Sequence, residues 1–198
     1  MCVEEMTYWG FLEWLVERAG RLSERALAGL YWLFGCGLLV RCPLPPGVEP
    51  LVADAVDRGF RFATTGVRHG DDAAAADALD SFPLPDEVGQ YVISTVSCLS
   101  YAAFLPASPS PNMLAQVALF PVMRAGSLQL WEDIVEPGSD EDYDQVFRLP
   151  VMQEAAAFCV EALAVLQAHP VPSPELLEGL RPSASVLSPP EGTDWDLV

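Results

Sequence analysis

The feature that most constrains this chain is a run of fifteen uncharged residues, Ala26 to Val40, bounded by Arg25 and Arg41. A helix crossing a bilayer needs about 20 apolar residues, so this run is too short to span. Gly29, Gly35 and Gly37 weaken it as a long isolated helix but let other helices approach closely. It therefore reads as a core helix. Ser23 can cap it, Leu27, Leu30, Tyr31, Phe34 and Leu38 form one stripe, and Trp32 and Leu33 make the remaining side apolar too. A helix apolar all round belongs at the centre of a globule.

Amphipathic helices flank it. Trp9, Leu12, Leu15, Val16, Ala19 and Leu22 recur at helical spacing, with Glu13, Glu17, Arg18 and Arg21 on the other face. Pro43, Pro45 and Pro46 end the apolar run, and Glu49 to Phe62 reads as a third helix through Val52, Val56 and Phe60. A short helix over Asp71 to Leu79 is expected, capped by its aspartates. A second uncharged interval, Val88 to Met123, is 36 residues long but is broken after Leu105 by PASPSPN. Pro85 and Asp86 open its first helix, carrying Val88, Val92, Val96 and Leu99. The roughly 18 residues left before the break include Ser94, Thr95, Ser97 and Ser100, which favours core over membrane. Leu114, Val117, Ala118 and Phe120 lead into a helix kinked by Pro121. A final helix over Pro150 to Ala168 turns Met152, Ala156, Cys159, Leu163 and Leu166 inward.

The expected fold is all-α, a helical globule around a hydrophobic central helix or hairpin, over residues 1–168. From Pro170 to Val198 there are six prolines, five acids and one arginine, so 169–198 reads as a disordered acidic tail.

Composition narrows function further. The chain has 28 acidic residues against ten basic ones, all arginine, for a formal net charge of -18. That balance repels nucleic acid and anionic lipid, and argues against a nucleic-acid partner. Glu4 and Glu5 stand where a secretory signal would be basic, so an intracellular, unsecreted protein is expected. The five cysteines are scattered through apolar context without a C-x-x-C pair, which fits reduced thiols behaving as small hydrophobes, with a Cys36–Cys42 disulfide as the alternative.

No constellation for catalysis emerges. Asp140, Asp142 and Asp144 match the first half of an EF-hand loop, but Gln145 and Val151 occupy the places of the turn glycine and the bidentate glutamate. Asp71, Asp72 and Asp77, with Glu132, Asp133 and Glu136, have the flavour of the aspartate-rich magnesium motifs of isoprenoid synthases. The lysines that would hold a diphosphate are missing. His69 and His169 have no nucleophile or ligand partner at local spacing. No cofactor or metal is expected, and the acids read as solvated caps and an acidic loop.

A hydrophobic helical globule without chemistry suits a module that receives a partner helix in a groove. YWLFGCGLLVRC (31–42), FATTGVRH (62–69), LDSF (79–82) and SCLSYAAFL (97–105) follow one another in an order that resembles the small T antigen of adenovirus early region 1B, a Bcl-2-like family. The resemblance extends from Trp9 to Trp131. It implies a viral, non-enzymatic early protein that inhibits host apoptosis by binding the amphipathic death-motif helix of pro-apoptotic Bak or Bax. It also implies peripheral association with host membranes, at the nuclear envelope and mitochondria, without a transmembrane span. Phe60, Phe62, Val88, Val92 and Val96 are then the groove positions, and Gly89 the point of close approach. At PLPDEVGQ (83–90) the chain departs from the family, which has a glycine-arginine pair there. Any charge pairing with the partner's aspartate would fall to Arg61 or Arg68. A different reading keeps the fold and changes the partner: an acidic immunity or antitoxin-type protein that neutralises a basic enzyme through the 132–144 carboxylates.

Overall fold

A computed structural model describes residues 3–82, 90–103, 119, 121–127, 129–130 and 138–191. Among these residues every regular element is helical, and the protein is all-α. After a 3-10 turn at Val3–Glu5 come α1 (Tyr8–Ala19), α2 (Glu24–Leu39), α3 (Glu49–Thr65), α4 (Asp72–Asp80), α5 (Gln90–Ala103), α6 (121–127), α7 (Asp140–Phe147), α8 (Pro150–Ala168) and α9 (Pro174–Leu180), which runs into a 3-10 helix at Arg181–Leu187.

The uncharged run folds as expected of it. The Ser23 hydroxyl accepts the Ala26 N–H at 3.1 Å and starts α2. Every residue from Ala26 to Leu38 is buried. Such complete enclosure needs neighbours on all sides, and α2 is packed by α3, α5, α8, α9 and the terminal 3-10 helix. Two glycines set the closest of these approaches. A Cβ on Gly35 would lie 2.5 Å from Leu99 of α5, and one on Gly37 would lie 2.2 Å from the Ala184 carbonyl oxygen. The one polar atom of Trp32 is satisfied inside the core, its Nε1–H donating to the Val56 carbonyl at 3.1 Å. Beside this main core a second cluster gathers Val48, Val52, Ala55, Leu79, Val92, Val96, Leu99 and Ala103 between α3, α4 and α5.

Two expectations are corrected. The buried stripe of α1 is Tyr8, Phe11, Leu12, Leu15 and Ala19, whereas Trp9 is 41% exposed. Tyr8 begins an i, i+4 row through Leu12 that Trp9, one residue on, cannot share. Trp9 instead donates its Nε1–H to Asp140 at 3.0 Å. The second correction concerns the C-terminus. Residues 169–191 are not a disordered tail, since Leu177, Ala184 and Leu187 are fully buried and Leu180 nearly so. Their spacing of three, four and three residues makes one helical face, and the prolines do not interrupt it: Pro174 and Pro182 occupy first turns, where no N–H donor is required. By length and composition α8 is long and apolar enough to cross a membrane. Its apolar face is also a core face, with Met152, Ala156, Cys159, Leu163 and Leu166 all buried as expected.

Candidate functional site

An open cleft of about 570 Å³ lies beside the C-terminal half of α2. Cys36, Leu39 and Val40 come from α2 and its C-cap, Val56 from α3, and Glu178, Arg181, Pro182 and Ser185 from the C-terminal segment. Chain order explains this composition. The uncharged run continues to the very end of α2, where Val40 is left 56% exposed, so apolar surface reaches solvent. The segment 174–187 turns its leucines onto α2 and therefore lines the cleft with its polar flank.

Arg181 dominates the rim electrostatically. Its guanidinium lies 5.7 Å from the centroid of the Trp32 ring and 3.5 Å from Glu178 Oε2, both charged side chains being half exposed. An ion pair so exposed contributes little stability, which leaves the guanidinium free to exchange Glu178 for another acceptor. Burial pushes the Cys36 thiol up to about 12, with Arg181 pulling it down and Glu178 raising it. The thiol is thus an apolar wall element at neutral pH and no nucleophile. The site can bind apolar groups with a carboxylate at their edge.

The residues expected to form the groove lie elsewhere. Phe62 is 5% exposed in the main core, capped by the Arg68 guanidinium 3.8 Å from its ring centroid. Val92 and Val96 are buried in the second cluster. Phe60 is half-buried, its ring centroid 5.0 Å from that of Trp32. Val88 and Gly89 lie outside the described residues. These side chains are divided between two closed clusters, because α3 and α5 pack directly on each other with Gly59 against Ala102. None of the described ones lines the cleft at the end of α2. Arg61, 4.0 Å from Asp72, and Arg68 do not line the cleft either; the arginine that does is Arg181. The missed signal was the 177, 180, 184, 187 periodicity, which places Arg181 and Glu178 on the outward side.

The acidic clusters have structural partners. Arg58 reaches Asp54 at 2.7 Å, Asp71 at 2.9 Å and the buried Asp72 at 2.6 Å, tying α3 to the start of α4. Asp72 also accepts the His69 N–H at 2.6 Å. Asp144 accepts the Tyr8 N–H at 2.8 Å, at the positive end of α1. Ser139 caps α7 by accepting the Asp142 N–H, so Asp140 and Asp142 sit in the first turn of a helix instead of a calcium loop. Both Cys36 and Cys42 are free thiols. Among the described residues no group of three His, Cys, Asp or Glu is placed to hold a metal ion. Glu132, Asp133 and Glu136 lie outside them. Comparison of the chain with protein families, with characterised proteins and with solved structures found no match to any of them.

Proposed function

We propose that this protein is a viral inhibitor of host apoptosis, a Bcl-2-like helical protein that binds pro-apoptotic partners of the Bak or Bax type through their amphipathic death-motif helix. The observation that carries the reading is α2, buried from Ala26 to Leu38 and continued by the rest of the YWLFGCGLLVRC run, with an apolar cleft opening along its exposed C-terminal end. A helix laid into that cleft would set its apolar residues against Leu39, Val40 and Val56 and an acidic residue against Arg181. Association with host membranes would be peripheral, through the partner.

The test is a titration of the full chain with fluorescent Bak and Bax death-motif peptides at moderate salt, with Val40→Glu alongside. Val40 is exposed, so this variant folds; Val92, being buried, would not tolerate the same change. Micromolar binding weakened at least ten-fold by Val40→Glu supports the reading. Absence of binding to folded protein rejects it and directs attention to basic proteins as partners of the acidic surface.

A further inference from the structure

Among the described residues Trp9 is the aromatic side chain left exposed, yet it is held on several sides. Its indole N–H donates to Asp140 Oδ1 at 3.0 Å, from α1 across to α7. Its ring meets that of Tyr8 edge-on at 5.1 Å and that of Tyr143 at 5.1 Å, while Tyr8 and Tyr143 stack on each other at 5.2 Å. Three mutually packed rings, with the indole open to solvent, make a rigid apolar plate. A side chain fixed in this way loses little freedom when a partner covers it. The charges that the two helix starts add to the plate are all acidic. Glu13 lies one turn along α1 from Trp9, Asp140 and Glu141 open α7, and all three are exposed. Residues 1–17 and 138–147 carry four carboxylates each and no arginine, lysine or histidine. Ser139 and Asp144 already accept the Asp142 and Tyr8 N–H groups, and the indole takes one oxygen of Asp140, so Asp140 and Glu141 keep oxygens to offer a ligand. None of these residues lines the cleft beside α2.

We infer that the Trp9–Tyr143 face is a second docking surface, and that its occupant is an arginine-bearing basic segment of a partner protein. A guanidinium matches both parts of the surface. Its plane stacks on an indole, and its fork of N–H groups pairs with carboxylates such as Asp140 and Glu141. A lysine ammonium satisfies the charge without the plane. The net charge of -18 draws a cationic segment in from a distance and repels a nucleic acid, which leaves a protein as the source of the arginine. The indole is pinned before the partner arrives, as suits the aromatic anchor at the centre of an interface. This surface stands on its own residues and does not depend on the death-motif reading of the cleft.

The test titrates the full chain into labelled oligoarginine and oligolysine peptides of equal length, followed by fluorescence anisotropy. Oligoarginine should bind, and should weaken about ten-fold in Trp9→Leu and about ten-fold in Asp140→Asn/Glu141→Gln. In the double variant the asparagine oxygen still accepts the indole N–H, so the plate stays in place and only charge is lost. Asp57→Asn/Glu161→Gln removes the same charge from exposed positions elsewhere and should change binding by less than about two-fold. Oligolysine should bind about three-fold or more weakly than oligoarginine. Equal weakening by the two double variants would reveal attraction to bulk charge alone and overturn the inference. Unchanged binding by Trp9→Leu, oligolysine binding as tight as oligoarginine, or no binding at all would overturn it too. Val40→Glu should not weaken the complex; weakening would place the peptide in the cleft and reject the assignment. Should Trp9→Leu lose its native circular dichroism, the two double variants, which alter only exposed carboxylates, decide. Failure of Bak and Bax peptides to bind would reject the proposed function and leave this surface standing.

Discussion

Replacing Gly37 by alanine separates the local from the tertiary role of a glycine. In an isolated helix the change stabilises by about 1 kcal/mol, because glycine is the poorer helix former. Here the new methyl would stand 2.2 Å from the Ala184 carbonyl oxygen and 2.8 Å from its carbon. Both are backbone atoms, so no side-chain rotation relieves the contact, and the terminal 3-10 helix must lift at this end. Lifting breaks the Ser188 hydrogen bond to the Gly37 carbonyl, worth about 1 kcal/mol. It also uncovers Leu187, fully buried now, at about 2 kcal/mol, and part of Ala184. Set against the gain in helix propensity, the variant should lose roughly 2–3 kcal/mol. For a chain of this size that lowers Tm by roughly 4–12 °C. Thermal denaturation followed by circular dichroism measures the loss, and hydrogen exchange locates it in 181–188. The control is Gly179→Ala on α9, where a Cβ meets nothing within 4 Å. It should stabilise by about 0.5–1 kcal/mol. A Gly37→Ala protein as stable as the wild type, with unchanged exchange protection over 181–188, would refute the argument.

Arg58→Ala should destabilise by roughly 2–3 kcal/mol, discounted for the solvent reaching Asp54 and Asp71, since it strands the buried Asp72 carboxylate without its cation. Arg58 holds the Asp71 carboxyl below its ordinary value of 3.8, so the stability gained from that pairing is present above 3.8 and lost as pH falls through the lower folded value; urea titrations from pH 5 to 2 should show this acid loss in the wild type and not in Arg58→Ala. Asp144→Ala removes the acceptor of the Tyr8 N–H and should cost about 1–2 kcal/mol by chemical denaturation, with α1 the element that loses exchange protection. Among the described thiols, burial pushes Cys42 up to about 11 and Cys36 to about 12 and raises the fully buried Cys98 and Cys159 as well. In a Cys2→Ser background Ellman's reagent at pH 8 should therefore react slowly, first with the partly exposed Cys42, and with all four together only in urea; fast stoichiometric labelling of native protein would contradict the burial.

What was legible in the sequence follows from which signals are local. The absence of charge from Ala26 to Val40 announced α2, Ser23 announced its start, and the proline cluster its end, because each acts within a few residues. The inward face of α8 was equally plain. Trp9 misled because hydrophobicity alone does not say which of two adjacent aromatics enters the core; its indole N–H found Asp140, 131 positions away. The helical segment 174–187 was hidden by its prolines and acids. Composition averages over both faces of a segment, and here the polar residues all lie on one. The cleft was not legible at all, since its walls come from residues near 40, 56 and 180 that only the tertiary fold brings together. Phe62, Val92 and Val96 were read as groove lining because an apolar residue carries no mark that distinguishes a closed interface from an open one.

The hydrogen bond from Ser188 to Gly37 joins residues 151 positions apart, and it has a consequence for synthesis. At roughly 5–20 residues per second, α2 leaves the ribosome about 10–30 s before the segment that completes its enclosure has been made. During that interval a helix with no polar face has no finished core to enter. Overexpression should therefore raise the fraction of nascent chain that aggregates through α2 before the C-terminal segment is made.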